Sequence, residues 1–169
     1  NNTITSTGNT SYNSYAIYNG NSNSQAIINN NTIDWAIYDS AQCGWYRADG
    51  SNYYPESNYG IYSSDPQEIK GNSISLDQYY GGHAIYIYKS SSYNVDAVIE
   101  SNTIDFWSYY AWSDNYGILI NAYSSNSSYT LIKGNIINIY SATRGGIRSE
   151  SDNTDVIDNV ISFGDRYSQ

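Results

Sequence analysis

The sequence predicts an all-β fold, a right-handed parallel β-helix (a solenoid) of about five coils, and three observations support this prediction. One is an Asn followed two residues later by Ile, which recurs along the whole chain at Asn2, Asn31, Asn72, Asn102, Asn135 and Asn159. Another is that two further apolar positions recur in the same order after each Asn. The third is composition: Ile supplies most of the aliphatic residues and 21 Tyr most of the aromatic ones, and both types favour strands. The intervals match the roughly 20 to 50 residues of known structural repeats, so each predicts one coil.

Each coil is predicted to contain three short strands. The first follows the Asn and places one Ile per coil in an interior row: Ile4, Ile33, Ile74, Ile104, Ile137 and Ile161. The second contains a small residue before Ile, as in Tyr15-Ala16-Ile17, Tyr59-Gly60-Ile61, His83-Ala84-Ile85, Tyr116-Gly117-Ile118 and Gly145-Gly146-Ile147. The third is Ile27-Ile28, Glu68-Ile69, Val98-Ile99, Leu131-Ile132 and Val156-Ile157. Each strand is expected to pair in parallel with its counterpart one coil along.

A flat antiparallel meander is the alternative to this fold. The repeat stays in phase along the chain, whereas hairpins would reverse the pattern at every second strand, and two-residue hairpin signals are scarce. The six repeated asparagines then lie at bends between strands, where stacked side chains can pass hydrogen bonds from coil to coil and satisfy backbone groups of the turn. We expect them to form an internal structural ladder.

This arrangement resembles the parallel β-helix superfamily that includes pectate-lyase-like proteins and many repeat-bearing surface proteins. Polygalacturonase-like members carry Asn-Thr-Asp, Asp-Asp, Gly-His-Gly and Arg-x-Lys signatures in that order. Here Asn153-Thr154-Asp155 follows Gly82-His83-Ala84, and neither Asp-Asp nor Arg-x-Lys occurs. Pectate-lyase-like enzymes need a calcium-binding acid cluster and a base, yet no Asp cluster matches Arg144 and Arg148. The resemblance therefore implies a non-catalytic, surface or fibre-type member, and no catalytic residue is assigned.

No metal site or cofactor is predicted with firm ligands. Calcium, which requires only oxygen ligands, is the one cofactor considered, among turn acids such as Asp49, Glu56 and Asp77. His83 is the only histidine and is interpreted as a turn residue. Cys43 lacks the basic neighbours that would activate a thiol.

Aromatic residues concentrate between the first and second strands and are predicted to form a stripe on one flank. The candidate ligand-binding residues are Tyr53, Tyr54, Tyr79, Tyr80, Tyr109, Tyr110 and Trp112, with Tyr15, Tyr59 and Tyr116 at the start of second strands. Flat rings with a polar tip suit both sugar stacking and protein interfaces. Three interpretations stay open: cover for the protein's own loops, contact with glycans, and packing between subunits.

Charge and composition narrow the possible partners. Residues 1–169 are expected to form one domain, and the net charge of −9 argues against nucleic-acid binding because the basic footprint is missing. No apolar run reaches the roughly 18 residues of a membrane-spanning helix, so no membrane insertion is expected. Sequons begin at Asn1, Asn9, Asn30 and Asn126 and are compatible with glycosylation of a secreted protein, although a chain this rich in Asn, Ser and Thr produces them by chance as well.

The repeat starts and stops in phase, and we expect neither end to carry a cap of the kind that solenoids need. Either the chain is an excised segment of a longer β-helix, or it is a filament protomer whose ends meet copies of itself. The predicted function is an extracellular structural protein, part of a surface fibre, filament or layer that assembles head to tail or laterally through its ends and Tyr-rich flank. The alternative is a carbohydrate-binding or polysaccharide-cleaving β-helix with glycans as partners.

Overall fold

The computed structural model describes residues 1–7, 14–21, 25–37, 58–78, 82–108, 115–141 and 145–164. These residues form a right-handed parallel β-helix, as the sequence predicts. The strands are β1 (Thr3–Thr7), β2 (Ser14–Asn19), β3 (Ile27–Asn29), β4 (Thr32–Ile37), β5 (Asn58–Ser64), β6 (Glu68–Lys70), β7 (Ser73–Gln78), β8 (Gly82–Lys89), β9 (Ala97–Glu100), β10 (Thr103–Ser108), β11 (Tyr116–Ala122), β12 (Thr130–Lys133), β13 (Ile136–Ser141), β14 (Gly145–Ser149), β15 (Thr154–Ile157) and β16 (Val160–Gly164).

Three parallel sheets wrap the column, and successive strands of the chain go to successive sheets. Sheet A has the order β1-β4-β7-β10-β13-β16, sheet B the order β14-β11-β8-β5-β2, and sheet C the order β15-β12-β9-β6-β3. Among the described residues, sheet A therefore has six strands and sheets B and C five each. The antiparallel meander is ruled out because every strand pairing in the described ranges is parallel.

The predicted register is confirmed along sheets A and B and is wrong at one junction of sheet C. Ile137 pairs with Ile161 in sheet A, and every other neighbouring pair of the predicted Ile row is also in register. In sheet C, Ile132 pairs with Val156, whereas the sequence alignment matched it with Ile157. The distance to the next ladder Asn determines this register: Ile132 lies three residues before Asn135, and Val156 lies three residues before Asn159.

The core is a set of stacked aliphatic rows with few other side chains. Ile104, Ile118 and Ile132, one from each sheet, are all fully buried, and Phe106 fills the space beside them. Burying an aliphatic side chain of this size stabilises a fold by about 1.5–3 kcal/mol, so the rows supply most of the hydrophobic driving force.

The small residue of each second strand is required by the close approach of sheets A and B. A Cβ added to Gly117 would lie 2.6 Å from Ile137 Cγ2 and 2.9 Å from the Gly146 carbonyl oxygen. Gly146 faces Ile161 in the same way, with a Cβ position 2.7 Å from its Cγ2. The small–Ile pair in the sequence therefore reflects packing against the Ile row of sheet A.

Candidate functional site

The ladder asparagines form one continuous hydrogen-bonded column through the molecule. In the first five asparagines, the side-chain Nδ2 donates to Oδ1 of the Asn one coil further along the chain, at distances of 2.8 to 3.0 Å. The backbone N–H of the same five residues donates to the same oxygen, at 2.9 to 3.0 Å except for 3.3 Å from Asn2. Each internal Oδ1 thus accepts two hydrogen bonds, which is the full capacity of an amide oxygen.

The second amide proton of the ladder side chains donates to a backbone carbonyl oxygen of the preceding coil, next to the bend. Nδ2 of Asn102 donates to the carbonyl oxygen of Ile69 at 3.0 Å, and Asn72, Asn135 and Asn159 make the equivalent bond. The residue immediately before each of the five later ladder asparagines has a positive φ, between 54° and 62°: Asn30, Gly71, Ser101, Gly134 and Asp158. This left-handed residue turns the chain from sheet C into sheet A. The internal ladder positions have no unused polar atom for a ligand, so their role is structural.

The two ends of the ladder differ from its middle. Asn2 is exposed, and no described residue donates a hydrogen bond to its Oδ1. At the other end, no described residue accepts a hydrogen bond from the backbone N–H of Asn159. The neighbouring strand β16 exposes apolar side chains, with Val160 at 60% and Phe163 at 67%. Within the described residues, the ladder thus has an acceptor without a partner at Asn2 and a donor without a partner at Asn159.

A two-column aromatic ladder covers the outer face of sheet B. The first column stacks Tyr15 on Tyr59 with ring centroids 5.1 Å apart and continues through His83 to Tyr116. The second column stacks Tyr18, Tyr62 and Tyr86 at centroid spacings of 5.1 Å. Edge contacts join the columns.

Two polar groups fix the aromatic ladder at its sides. The Nδ1 atom of the buried His83 accepts the backbone N–H of Tyr116 at 3.2 Å. The guanidinium of Arg148 lies 5.5 Å from the Tyr116 ring centroid, donates to its hydroxyl and pairs with Glu150 at 2.7 Å. Stacked rings use their faces on one another, whereas sugar stacking needs an exposed ring face. The geometry of this ladder thus fits internal support of sheet B better than glycan contact.

The structure also contains a buried polar corner between sheets B and C that the sequence analysis missed. Lys89 is fully buried at the end of β8, and its Nζ donates to Thr130 Oγ1 at 2.7 Å, to Tyr129 O at 3.1 Å and to Ser128 O at 3.4 Å. Burial lowers the pKa of the Lys89 ammonium to about 8, against the opposing influence of Asp96 and Asp65. The sequence did not predict this burial because Lys89 is followed by polar residues, and a lysine in such a stretch is normally exposed.

A second ladder of polar contacts continues this corner from coil to coil. The buried Asp65 accepts hydrogen bonds from Ser90, at 3.0 Å from its N–H and 2.6 Å from its hydroxyl. Asn126 donates from Nδ2 to the carbonyl oxygens of Ser90 and Tyr93, at 2.6 and 3.0 Å. These groups satisfy one another, so the corner is a structural element comparable to the Asn ladder.

The predicted site residues fall into two groups. Tyr53, Tyr54, Tyr79, Tyr80, Tyr109, Tyr110 and Trp112 lie outside the described residues, as do Cys43, Asn9, Asp49 and Glu56. Glycan contact by the turn aromatics therefore stays a prediction. Of the other sequons, Asn1 and Asn30 are exposed, whereas the buried Asn126 uses its amide nitrogen in the polar corner. A glycan at Asn126 would take the place of one of the two amide protons that make these bonds.

No group of three or more His, Cys, Asp or Glu side chains that could hold a metal ion occurs in the described ranges. Asp77, the described member of the suggested calcium acids, is buried. Likewise, the described part of the chain has no helix long and apolar enough to cross a membrane.

Comparisons of the chain with protein-family models, with curated proteins and with solved structures give no match.

Proposed function

We propose that this chain is a structural subunit of an extracellular fibre, filament or surface layer, a non-catalytic member of the pectate-lyase-like β-helix superfamily, whose copies associate end to end. One observation carries the proposal: within the described residues, a continuous column of hydrogen-bonded asparagines joins each coil to the next along a single axis. A head-to-tail contact between copies along that axis would be heterologous and would not close, so it would build filaments.

The distribution of polar and aromatic contacts supports a structural role. The Asn ladder, the aromatic ladder and the polar corner all run along the column axis and bind the coils to one another. Chemistry of this type adds axial strength to a fibre. The acidic composition and the exposed sequons at Asn1 and Asn30 are compatible with an extracellular location.

Electron microscopy combined with sedimentation velocity over a concentration series tests this proposal. We expect particles of one column width that lengthen with concentration, because each added copy extends the same axis. Five coils at about 4.8 Å each give an axial increment of roughly 24 Å per copy. Monomers at every concentration would contradict the proposal.

A pair of matched variants locates the association surface. Ile161→Lys places a charge in the exposed end strand, where Ile161 is 39% exposed, and should reduce association about tenfold or more through the cost of burying that charge. Ile136→Lys makes the same change at a 46% exposed position within the column and should leave association unchanged. Equal loss in both variants would indicate lateral association.

A further inference from the structure

Three tyrosines of the aromatic ladder stack directly on one another in a single row of sheet B. Tyr18, Tyr62 and Tyr86 are in register across β2, β5 and β8, and their ring centroids are 5.1 Å apart at both steps. The angles between the ring planes are 28° and 14°, so the rings are close to parallel. Tyr62 lies between two rings, and Tyr86 lies between Tyr62 and Leu119 of β11. The stacking of these two residues therefore belongs to the inside of the column.

Parallel strands in register place equivalent atoms of neighbouring side chains one strand spacing apart. The ring carbons next to the hydroxyl of Tyr62 therefore lie roughly 4.8 Å from the same carbons of Tyr86. A carbon–carbon bond of about 1.5 Å between them requires the two rings to swing towards each other. Both rings are half-buried on the outer face of the sheet, so side-chain rotation provides this movement without a change in the backbone. The row thus holds neighbouring phenols in position for a bond between adjacent rings.

We propose that this row is a site of oxidative modification, at which an oxidant of the haem peroxidase class joins neighbouring tyrosines as dityrosine. The reagent is hydrogen peroxide, which takes one electron and one proton from each of two phenols and becomes two molecules of water. The two phenoxyl radicals then couple through the ring carbons next to their oxygens. Each of these carbons gives its hydrogen to the oxygen of its own ring, so both rings become phenols again.

The surroundings of the row favour coupling between tyrosines over other oxidation reactions. Methionine, which competes for oxidants, does not occur in the chain, and the only cysteine is Cys43. The described tryptophans, Trp35 and Trp107, belong to β4 and β10 of sheet A and not to the ladder. Among the described residues, an oxidised ring of this row therefore has another phenol as its stacked neighbour.

The first column of the ladder provides an internal contrast. Tyr15 and Tyr59 stack at 5.1 Å with an interplanar angle of 7°, so they form a third pair of the same kind. His83 comes next and separates Tyr59 from Tyr116, with centroid spacings of 5.7 and 6.0 Å. An imidazole forms no phenoxyl radical. We expect links within the three stacked pairs, Tyr15 with Tyr59, Tyr18 with Tyr62 and Tyr62 with Tyr86, and no link between Tyr59 and Tyr116.

Each of these bonds joins two coils of the same chain. The modification therefore goes beyond the proposed function and does not depend on end-to-end association between copies. It adds covalent links along the axis to the hydrogen bonds of the Asn ladder. A modified chain should for this reason unfold at a higher urea concentration than an unmodified one, as an internal cross-link restricts the unfolded state.

Peptide mass spectrometry after treatment with a haem peroxidase and hydrogen peroxide tests the proposal. The full chain is oxidised, and the monomer band of a denaturing gel is digested, so only links within one copy are read. Cleavage after Asp and Glu places Tyr18, Tyr62 and Tyr86 in the separate peptides 1–34, 57–68 and 78–96. Each coupled pair then joins two peptides with the loss of two hydrogen atoms, and fragmentation assigns the linked residues.

Two matched variants show whether stacking directs the coupling. Tyr62→Phe keeps the ring and removes the phenol, so the links of Tyr62 to Tyr18 and Tyr86 should disappear while the link between Tyr15 and Tyr59 remains. Tyr93→Phe removes a phenol that is 39% exposed and that contacts no other described ring, and should leave all three links unchanged. In the wild type we expect each stacked pair to be linked at least about tenfold more often than Tyr93 is linked to any ladder tyrosine, because held geometry replaces chance encounter. Circular dichroism checks that both variants fold.

Several results would overturn the proposal. One is oxidation of Tyr62 and Tyr86 without any link between them, or no oxidation of either residue. Another is linkage of Tyr93, or of Tyr59 with Tyr116, as often as that of the stacked pairs, which would show chance coupling. Links found between copies alone would also contradict a site within one chain. Because the links are read on the monomer band, monomeric chains in sedimentation would refute the proposed association and leave this test intact.

Discussion

At the scale of single residues, Asn102 is the clearest test of the ladder. Its Oδ1 accepts from the N–H and Nδ2 of Asn72, and its Nδ2 donates to Asn135 and Ile69, all in the buried interior. Asn102→Ala leaves several of these groups unsatisfied at about 1–3 kcal/mol each, so we expect a total loss of about 3–5 kcal/mol in the free energy of unfolding. Urea denaturation followed by circular dichroism measures it.

Asn138→Ala is the matched control for this change. Asn138 also bonds to a neighbouring coil, through Nδ2 to Asp105 Oδ1 at 2.8 Å, but this contact is exposed. Its loss should change the stability by no more than about 0.5 kcal/mol. A similar cost in the two variants would show that burial does not strengthen the ladder.

Lys89 should make the stability depend on pH in the alkaline range. Its pKa is lowered to about 8 in the folded state from an ordinary value of 10.5, so the folded state disfavours the charged form. Burial of the charged ammonium therefore lowers the free energy of unfolding. This destabilisation is fully present below pH 8 and disappears as the pH rises towards 10.5. By linkage, the wild-type chain should gain about 2 kcal/mol between pH 7 and 9.5.

Denaturation of wild type and Lys89→Met at several pH values isolates this contribution. The variant lacks the titrating amine and should show a flat profile between pH 7 and 9.5. Burial raises the pKa of Tyr62 and Tyr86, and the hydrogen bond to Tyr123 raises the pKa of Tyr88 to about 12. These tyrosines are present in the wild type and in the variant, so their contributions cancel when the two stability profiles are subtracted. Parallel profiles would contradict a buried, titrating Lys89.

The residues of the ladder could be predicted from sequence, and those of the polar corner could not. The Asn-x-Ile pattern occurs six times along the chain, so the sequence itself shows that these asparagines occupy equivalent positions. Lys89 is the last residue of β8 and Asp65 directly follows β5, and neither position recurs as a pattern along the sequence. Their burial depends on how the bends between sheets B and C stack, which no local pattern encodes.

At the scale of elements, sheet B depends on ring stacking as well as on its core. Tyr62 contacts Tyr18 and Tyr86 face to face and meets Tyr15 and Tyr59 at the ring edge. Tyr62→Ala should therefore cost about 2–3 kcal/mol of stability. Tyr62→Phe keeps the ring and removes only the hydroxyl, so thermal denaturation should show a loss of no more than about 1 kcal/mol. Equal losses would assign the effect to the hydroxyl.

The second column of the aromatic ladder was encoded in the sequence but overlooked. In each second strand, one outward position precedes the small–Ile pair and another directly follows it, three residues further along. Tyr18, Tyr62 and Tyr86 occupy the position that follows the pair. The prediction placed the aromatic stripe on the turns because Tyr is densest there. The shifted register at Val156 has a related cause, since Val156 and Ile157 are equally apolar and only the distance to Asn159 separates them.

At the scale of the whole molecule, net charge opposes the proposed association. Each copy carries a formal charge of −9, so copies repel one another at low ionic strength. Raising NaCl from about 20 to 300 mM shortens the screening length from roughly 20 Å to 6 Å and should accelerate assembly several-fold. Light scattering at constant protein concentration measures the rate. Slower assembly in salt would indicate that charge pairs, and not apolar strand edges, drive the contact.

The ladder also gives the column an electrical direction. Every hydrogen bond between ladder side chains is donated towards the later coil, so the dipoles of these linked amides add along the axis and polarise one another. As at the ends of an α-helix, the sum leaves partial charge at the two termini: positive at the donor end near Asn159 and negative at the acceptor end near Asn2. A polymer built from such columns has two chemically distinct tips, and subunits are expected to add at the two tips at different rates.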